Sequence, residues 1–275
     1  MLAARYDALL FDLDGVIYRG DEVVEGAPET IEAVRSAGAG VVFLTNNSSR
    51  TAERVAEKLA RLGVRADASE VMTSAVATAE MLARSGGGTA YAIGGEGVTR
   101  ALVDAGIDVV DGQPPRVDLV VVGIDDDFTY ARLRTASVLV QRGARLVATN
   151  ADRTFPATGG ELWPGAGALV AALETSTGVE AEVVGKPHAP LFEAALRRSG
   201  GSTPLVIGDR LDTDIAGANA LGWDSMLVLS GVSTEAELSG SPFRPTYVAR
   251  DVRALLDEDA VERVGRALDA DDDQK

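Results

Sequence analysis

The sequence predicts an α/β protein with a doubly wound parallel-sheet core into which a smaller α/β domain is inserted. Three observations predict it. Short runs are hydrophobic on both faces, as strands of a buried parallel sheet are. Amphipathic stretches of helical period separate them. The alternation then restarts in mid-chain, and 275 residues exceed one typical domain.

In chain order, residues 8–11 and 41–44 are the first two apolar runs. A helix follows over 52–62, where Val55, Leu59 and Leu62 recur at spacings of four and three. Thr51 is placed to cap its start, and Gly63 to end it. The restart brings strands near 90–93, 119–122 and 146–148, with helices near 99–105 and 130–142. The core pattern resumes with a helix at 191–196, a strand at 204–207, a helix at 215–221, a strand at 226–229 and a helix over 254–268. The expected division is therefore residues 1–85 and 183–275 for the core and 86–182 for the insert. Gly86-Gly87-Gly88 reads as a hinge or, equally, as an ordinary flexible loop. The acidic residues 269–273 read as a solvated tail.

Composition narrows the chemistry. With no Cys there are no disulfides, thiolate zinc sites or cysteine nucleophiles, and a single His forbids a multi-histidine metal site. Catalysis is left to carboxylates, Lys, hydroxyls, backbone amides and a hard oxygen-loving metal. A net charge of −16 argues against nucleic acid as partner, since that affinity comes from Lys and Arg neutralising phosphates. No apolar run reaches the roughly 18 residues a membrane span needs, and the N-terminus leads into a strand rather than a signal peptide, so no membrane partner and a cytoplasmic location are expected.

Four polar clusters each close a strand-like run, the place where open α/β sheets bind ligands. In Phe11-Asp12-Leu13-Asp14-Gly15, alternation in extended chain sends Asp12 and Asp14 to one side, where two carboxylates repel unless a cation or proton intervenes. Thr45-Asn46-Asn47-Ser48-Ser49 offers hydroxyls and amides to an oxyanion, or simply caps the next helix. Gly185-Lys186-Pro187-His188 brings one point charge suited to phosphate, with His188 reading as a helix-start residue. Gly208-Asp209-Arg210-Leu211-Asp212-Thr213-Asp214 supplies a strand-end carboxylate with two more behind it, Asp212 or Thr213 being placed to cap the next helix.

Taken together, Asp12-x-Asp14-Gly15, Thr45-Asn46-Asn47, Gly185-Lys186-Pro187 and Gly208-Asp209 with Asp214 resemble the four signature motifs of the haloacid dehalogenase superfamily. More narrowly they resemble its class IIA branch of nitrophenylphosphatases, phosphoglycolate phosphatases and glycerol phosphate phosphatases, whose cap lies between the second and third motifs. The resemblance implies that Asp12 attacks phosphorus and forms an aspartyl phosphate, while Asp14 protonates the leaving group and then activates water. It implies Mg2+ held by the Asp12 carboxylate, the Asp14 carbonyl and Asp209, with Asp214 behind bound waters. Thr45, the Asn46 amide and Lys186 would hold the phosphate. The substrate implied is a small phosphorylated metabolite.

Substrate selection is expected from the cap, through residues 150–156 and 159–165. Asp152, Arg153 and Phe155 are the candidates there, with Trp163 as a pocket wall, although ordinary loop packing explains each as well. The resemblance also leaves a homodimer through the cap open, since members of that branch often pair this way, while no exposed apolar stripe in the sequence marks one. Two rival readings remain at this stage. One is a signalling module that accepts phosphate on Asp12 without turnover, against which the length and the inserted domain count. The other is a glycosyltransferase binding a nucleotide-sugar metal through Asp12 and Asp14, which leaves the other three clusters unexplained.

Overall fold

Strand Ala8–Asp12 lies inside a seven-stranded sheet because every one of its residues is buried and apolar up to its last, Asp12. In this computed structural model, which describes residues 1–156 and 161–264, the order across that sheet is Val261–Arg263, Tyr247–Ala249, Asp224–Val228, Pro204–Gly208, Ala8–Asp12, Gly40–Thr45, Val71–Thr73. Phe11 stands opposite Phe43 on one neighbour and Ile207 on the other, both in parallel register. Rings of Phe11 and Phe43 meet at 6.2 Å, and both are fully buried. Each such side chain contributes roughly 1.5–3 kcal/mol by leaving water.

The chain divides into two compact units. The first takes in Met1–Thr45, Glu53–Met72 and the described chain from Phe192 onward, and the second Asn46–Ala52 with Thr73–Leu191. The stretch 86–182 lies within the second unit, whose limits are wider. Gly86-Gly87-Gly88 falls inside that unit, between helix Ser74–Arg84 and strand Thr89–Ile93, rather than at its border.

The second unit has its own five-stranded sheet, ordered Glu182–Val183, Arg145–Ala148, Leu119–Val122, Thr89–Ile93, Asp108–Val110, all parallel. Its core gathers Tyr91, Ile93, Val120, Val122, Leu139, Leu146 and Leu173, contributed by strands and by helices Tyr130–Gln141 and Ala166–Thr177. The two-residue strand Glu182–Val183 is carried onward by Val184 N–H to Ala148 O at 3.0 Å and Gly185 N–H to Thr149 O at 2.8 Å. The third polar cluster therefore closes an edge strand of this smaller sheet.

Helix Ala52–Arg61 matches the periodicity, and Gly63 takes the left-handed backbone (φ +82°) that ends it. Over 254–264, the described part of the helix expected at 254–268, no α-helix forms. Asp251 caps a short 3₁₀ turn, Val252–Leu256, by accepting the Arg253 N–H at 3.0 Å. Asp257 caps another, Glu258–Ala260, and Val261–Arg263 then pairs antiparallel with Tyr247–Ala249 at the sheet edge. Two successive Asp caps interrupt the helical run, and the charged Glu262-Arg263 pair suits an edge strand. Residues 265–268 and the acidic stretch 269–273 lie outside the described residues. Among the described residues no helix is long and apolar enough to cross a membrane.

Candidate active site

Asp12 reaches its place because the sheet order reverses beside it: from strand Ala8–Asp12 the chain runs outward to Gly40–Thr45 on one side and, later, to Pro204–Gly208 on the other. Such a switch point leaves a crevice at the carboxyl ends of the two diverging strands. Asp12 ends one of them and Asp209 follows the other. Asp12, Asp209 and Asp214 are all buried, the last two at 1% exposure, and one carboxylate oxygen from each lies within 4.8 Å of the others. Three anions so close and so dry repel strongly unless a cation or protons neutralise them. All-oxygen donors on a rigid frame suit a hard divalent cation such as magnesium rather than a softer metal, so these residues fit one.

The loop after strand Asp224–Val228 fixes Asp209. Its Oδ2 accepts the Val232 N–H at 2.8 Å, and its backbone oxygen accepts the Ser233 N–H at 3.0 Å. The Ser233 hydroxyl in turn accepts the Leu211 N–H at 3.2 Å, and the Ser230 hydroxyl donates to Gly15 O at 2.7 Å. Gly15 and Gly231 press against the Asp209 carboxylate so closely that a Cβ on either would overlap Oδ2.

Asp14 stands differently from Asp12. It is exposed, at the mouth of a tight turn in which Gly15 N–H bonds Tyr18 O at 2.7 Å and Ile17 N–H bonds Leu13 O at 2.9 Å. Among the described residues the carboxylate group comprises Asp12, Asp209 and Asp214. Asp214 thus brings a carboxylate oxygen within 4.8 Å of those of Asp12 and Asp209. A wide helical turn over Leu211–Ile215 lifts it there, and its Oδ2 accepts the Arg210 N–H at 3.2 Å. Neither Asp212 nor Thr213 caps helix Ala216–Leu221, whose N-cap is Ile215 with no side-chain bond; exposed Asp212 pairs instead with Arg210 at 2.9 Å.

Thr45 ends strand Gly40–Thr45 and is buried. Within the second unit, Asn46 Oδ1 accepts the Lys186 N–H at 2.8 Å, and Asn46 Nδ2 donates to Lys186 O at 3.1 Å and to both Asp152 carboxylate oxygens at 3.2 Å. The Asn46 carbonyl accepts the Ser74 hydroxyl at 2.6 Å and Asn150 Nδ2 at 2.7 Å. Lys186 is buried, and its peptide to Pro187 is cis. His188 donates its N–H to Gly185 O at 3.0 Å just before helix Ala189–Ser199.

Of the residues expected to select substrate, Asp152 is bound to Asn46 and receives direction from Asn150, whose Oδ1 accepts the Asp152 N–H at 3.1 Å. Arg153 is exposed, its carbonyl accepting the Gly165 N–H at 2.8 Å. Phe155 packs edge-on against Trp163 at 6.2 Å across the hairpin Thr154–Pro156 with Leu162–Pro164. Gly159 and Gly160 lie outside the described residues. Sequence reasoning missed Ser230, Gly231 and Ser233, although Leu229-Ser230-Gly231-Val232-Ser233 carries the signal used elsewhere, a strand ending in small polar residues. It also missed Ser74 and the role of Asn150, for which position along the chain offers no signal.

Comparison with known proteins bears on this arrangement. A family model for haloacid dehalogenase-like hydrolases matches residues 9–108, and a HAD-hydrolase-like model matches 183–255. The acid sugar phosphatase of Staphylococcus saprophyticus is 38% identical over 257 residues, covering 92% of this chain and 98% of that protein. The crystal structure of a glycerol phosphate phosphatase from Mycobacterium tuberculosis in complex with magnesium superposes with a TM-score of 0.86 at 38% identity, covering 93% of this chain and 78% of the other. NagD from Escherichia coli K-12 gives 0.83 at 33% identity, over 90% and 97%. The likeness spans both units at identities that fix a common ancestry, and the chain therefore belongs to the haloacid dehalogenase-like hydrolases, as a phosphatase of their class IIA branch.

Proposed function

We propose that the protein hydrolyses the phosphate monoester of a small sugar or polyol, such as a sugar phosphate or glycerol phosphate, through an aspartyl phosphate on Asp12. One observation carries the reading: the buried trio Asp12, Asp209 and Asp214 at the carboxyl edge of the parallel sheet. The acid sugar phosphatase and glycerol phosphate phosphatase relatives support the substrate class.

In this reading Asp12 Oδ attacks phosphorus, the ester oxygen leaves with the proton delivered by the Asp14 carboxyl, and Asp14, now ionised, takes a proton from the water that releases phosphate. The exposure of Asp14 suits a group that must meet both leaving group and water. Asp12, the Asp14 carbonyl and Asp209 would hold Mg2+, with Asp214 behind the bound waters. Bound there, the cation offsets the charge on the transferred phosphoryl group. Asp209 is kept from turning by Val232 N–H and by two glycines. Thr45, the Asn46 amide and Lys186 would hold the non-bridging oxygens, and the residues 86–182 would act as the substrate-selecting cap on a core of 1–85 and 183–275. The substrate would be a metabolite of the cytoplasm.

Incubation with nitrophenyl phosphate and magnesium tests the reading. Steady phosphate release over many turnovers is expected. Release of one equivalent of nitrophenol without further turnover, or of none, would make the protein a phospho-accepting module instead. Ranking sugar phosphates, glycerol phosphate and phosphoglycolate by kcat/KM then names the substrate.

A further inference from the structure

We propose that the Asn46 side chain is a positioning residue that clamps the main chain of Lys186, and that Asp152 serves this clamp rather than touching substrate. The inference rests on the phosphatase reading, in which the Lys186 ammonium holds phosphate.

One primary amide grips both polar groups of a single residue here: Oδ1 accepts the Lys186 N–H at 2.8 Å and Nδ2 donates to Lys186 O at 3.1 Å. An ammonium on a four-carbon stem is only as well placed as its backbone. The backbone bonds that carry this edge strand onward reach Gly185, and the Lys186 N–H next in line goes to the Asn46 side chain. The second hydrogen on Nδ2 goes to Asp152, whose carboxylate lies 3.2 Å away through both oxygens. A carboxylate accepts only, so it also forces the amide to present nitrogen on that side and oxygen to the Lys186 N–H. Asn46 cannot drift, because Ser74 and Asn150 both donate to its carbonyl, and Asn150 also accepts the Asp152 N–H at 3.1 Å. Asn46, Asn150, Ser74 and Lys186 are all buried, so water competes little for these bonds.

The donor and acceptor pattern gives the test. Asn46→Asp keeps an acceptor for the Lys186 N–H but sets a carboxylate against Lys186 O and Asp152. Asp152→Asn added to it supplies a donor again. For Asn46→Asp at pH 8, KM for nitrophenyl phosphate and the inhibition constant of inorganic phosphate are expected to rise together at least about tenfold, on the scale of lost outer-shell partners. Adjacent carboxylates share a proton as pH falls, so the defect should shrink toward pH 5. The double variant should regain at least threefold. The magnesium activation constant should stay put in all of them, an outcome that general loosening of the fold would not give.

Unchanged KM and phosphate inhibition in a folded Asn46→Asp protein would overturn the clamp, as would a double variant no better than the single. Should Asn46→Asp fail to fold, Asp152→Asn alone decides: KM and the phosphate inhibition constant rising a few-fold with a near-normal Tm supports the clamp, and unchanged constants overturn it. A wild-type protein that releases no phosphate would defeat the phosphatase reading itself, whereas an active wild type with an indifferent Asn46→Asp variant defeats the clamp alone.

Discussion

Gly231 lies flat against the Asp209 carboxylate, with no room between them for a single methyl group. Its backbone φ lies outside the left-handed region, so alanine is conformationally permitted there and only the lost space is felt. Gly231→Ala should therefore push Asp209 out of line with Asp12 and Asp214. The expected result is a rise of roughly 10–100-fold in the magnesium concentration for half-activation. Titration of phosphate release with magnesium measures it, and an unchanged constant would show that Asp209 does not hold the ion.

Asp12→Asn is expected to bring turnover to the limit of detection without lowering Tm, because it removes one charge from a repelling, buried trio. Asp14→Asn should slow turnover by about a hundredfold, the scale of a lost general acid. Both numbers come from steady-state assays alongside thermal melts. Retained activity in Asp12→Asn would take the nucleophile's role away from it.

Chelation should silence the enzyme reversibly, and magnesium should stabilise the fold. A cation that binds only the folded trio at about a hundred times its Kd adds about 2.7 kcal/mol, on the order of 5 °C in the melting of the unit that carries it. Scanning calorimetry with and without magnesium checks this. In Asp209→Ala the shift should vanish, and a shift that persists would place the ion elsewhere.

Alkaline pH should unfold the protein through Tyr6. Burial first, then its bonds to Tyr247 at 3.1 Å and Asp224 at 2.9 Å, push its phenol well above the ordinary value of 10.0. The folded state thus keeps a proton that the unfolded chain releases. Stability from this group is complete below pH 10 and is lost as pH rises beyond it. Tyr6→Phe should cost about 1–2 kcal/mol at pH 7, since Asp224 loses a donor, and should flatten the decline between pH 10 and 12. Urea midpoints across that range decide it.

Much of the core was legible because a strand buried on both faces leaves a mark in one dimension. Residues 8–11, 41–44 and 204–207 are continuous apolar runs that stop at Asp12, Thr45 and Gly208-Asp209, and the structure extends each by a residue or two. Helix Ala52–Arg61 was legible from its period and its terminal glycine. The segment 254–268 misled because Val261, Val264 and Leu268 recur in the sequence at helical spacings of three and four while Asp251 and Asp257 cap short turns instead. Helix period survives in sequence even where side-chain caps have broken the helix.

By itself, then, the sequence determined the strand-end positions of Asp12, Thr45 and Asp209, the oxygen-only chemistry forced by one His and no Cys, and the family that those motifs resemble. Tertiary structure alone decided that Glu182–Val183 joins the smaller sheet, that a carboxylate oxygen of Asp214 comes within 4.8 Å of those of Asp12 and Asp209, and that Asn46 faces Lys186 from 140 positions away. The physical reason is one of range. Burial and period act between near neighbours and are written along the chain, whereas a hydrogen bond or a shared cation joins groups whose separation in sequence carries no trace of their meeting.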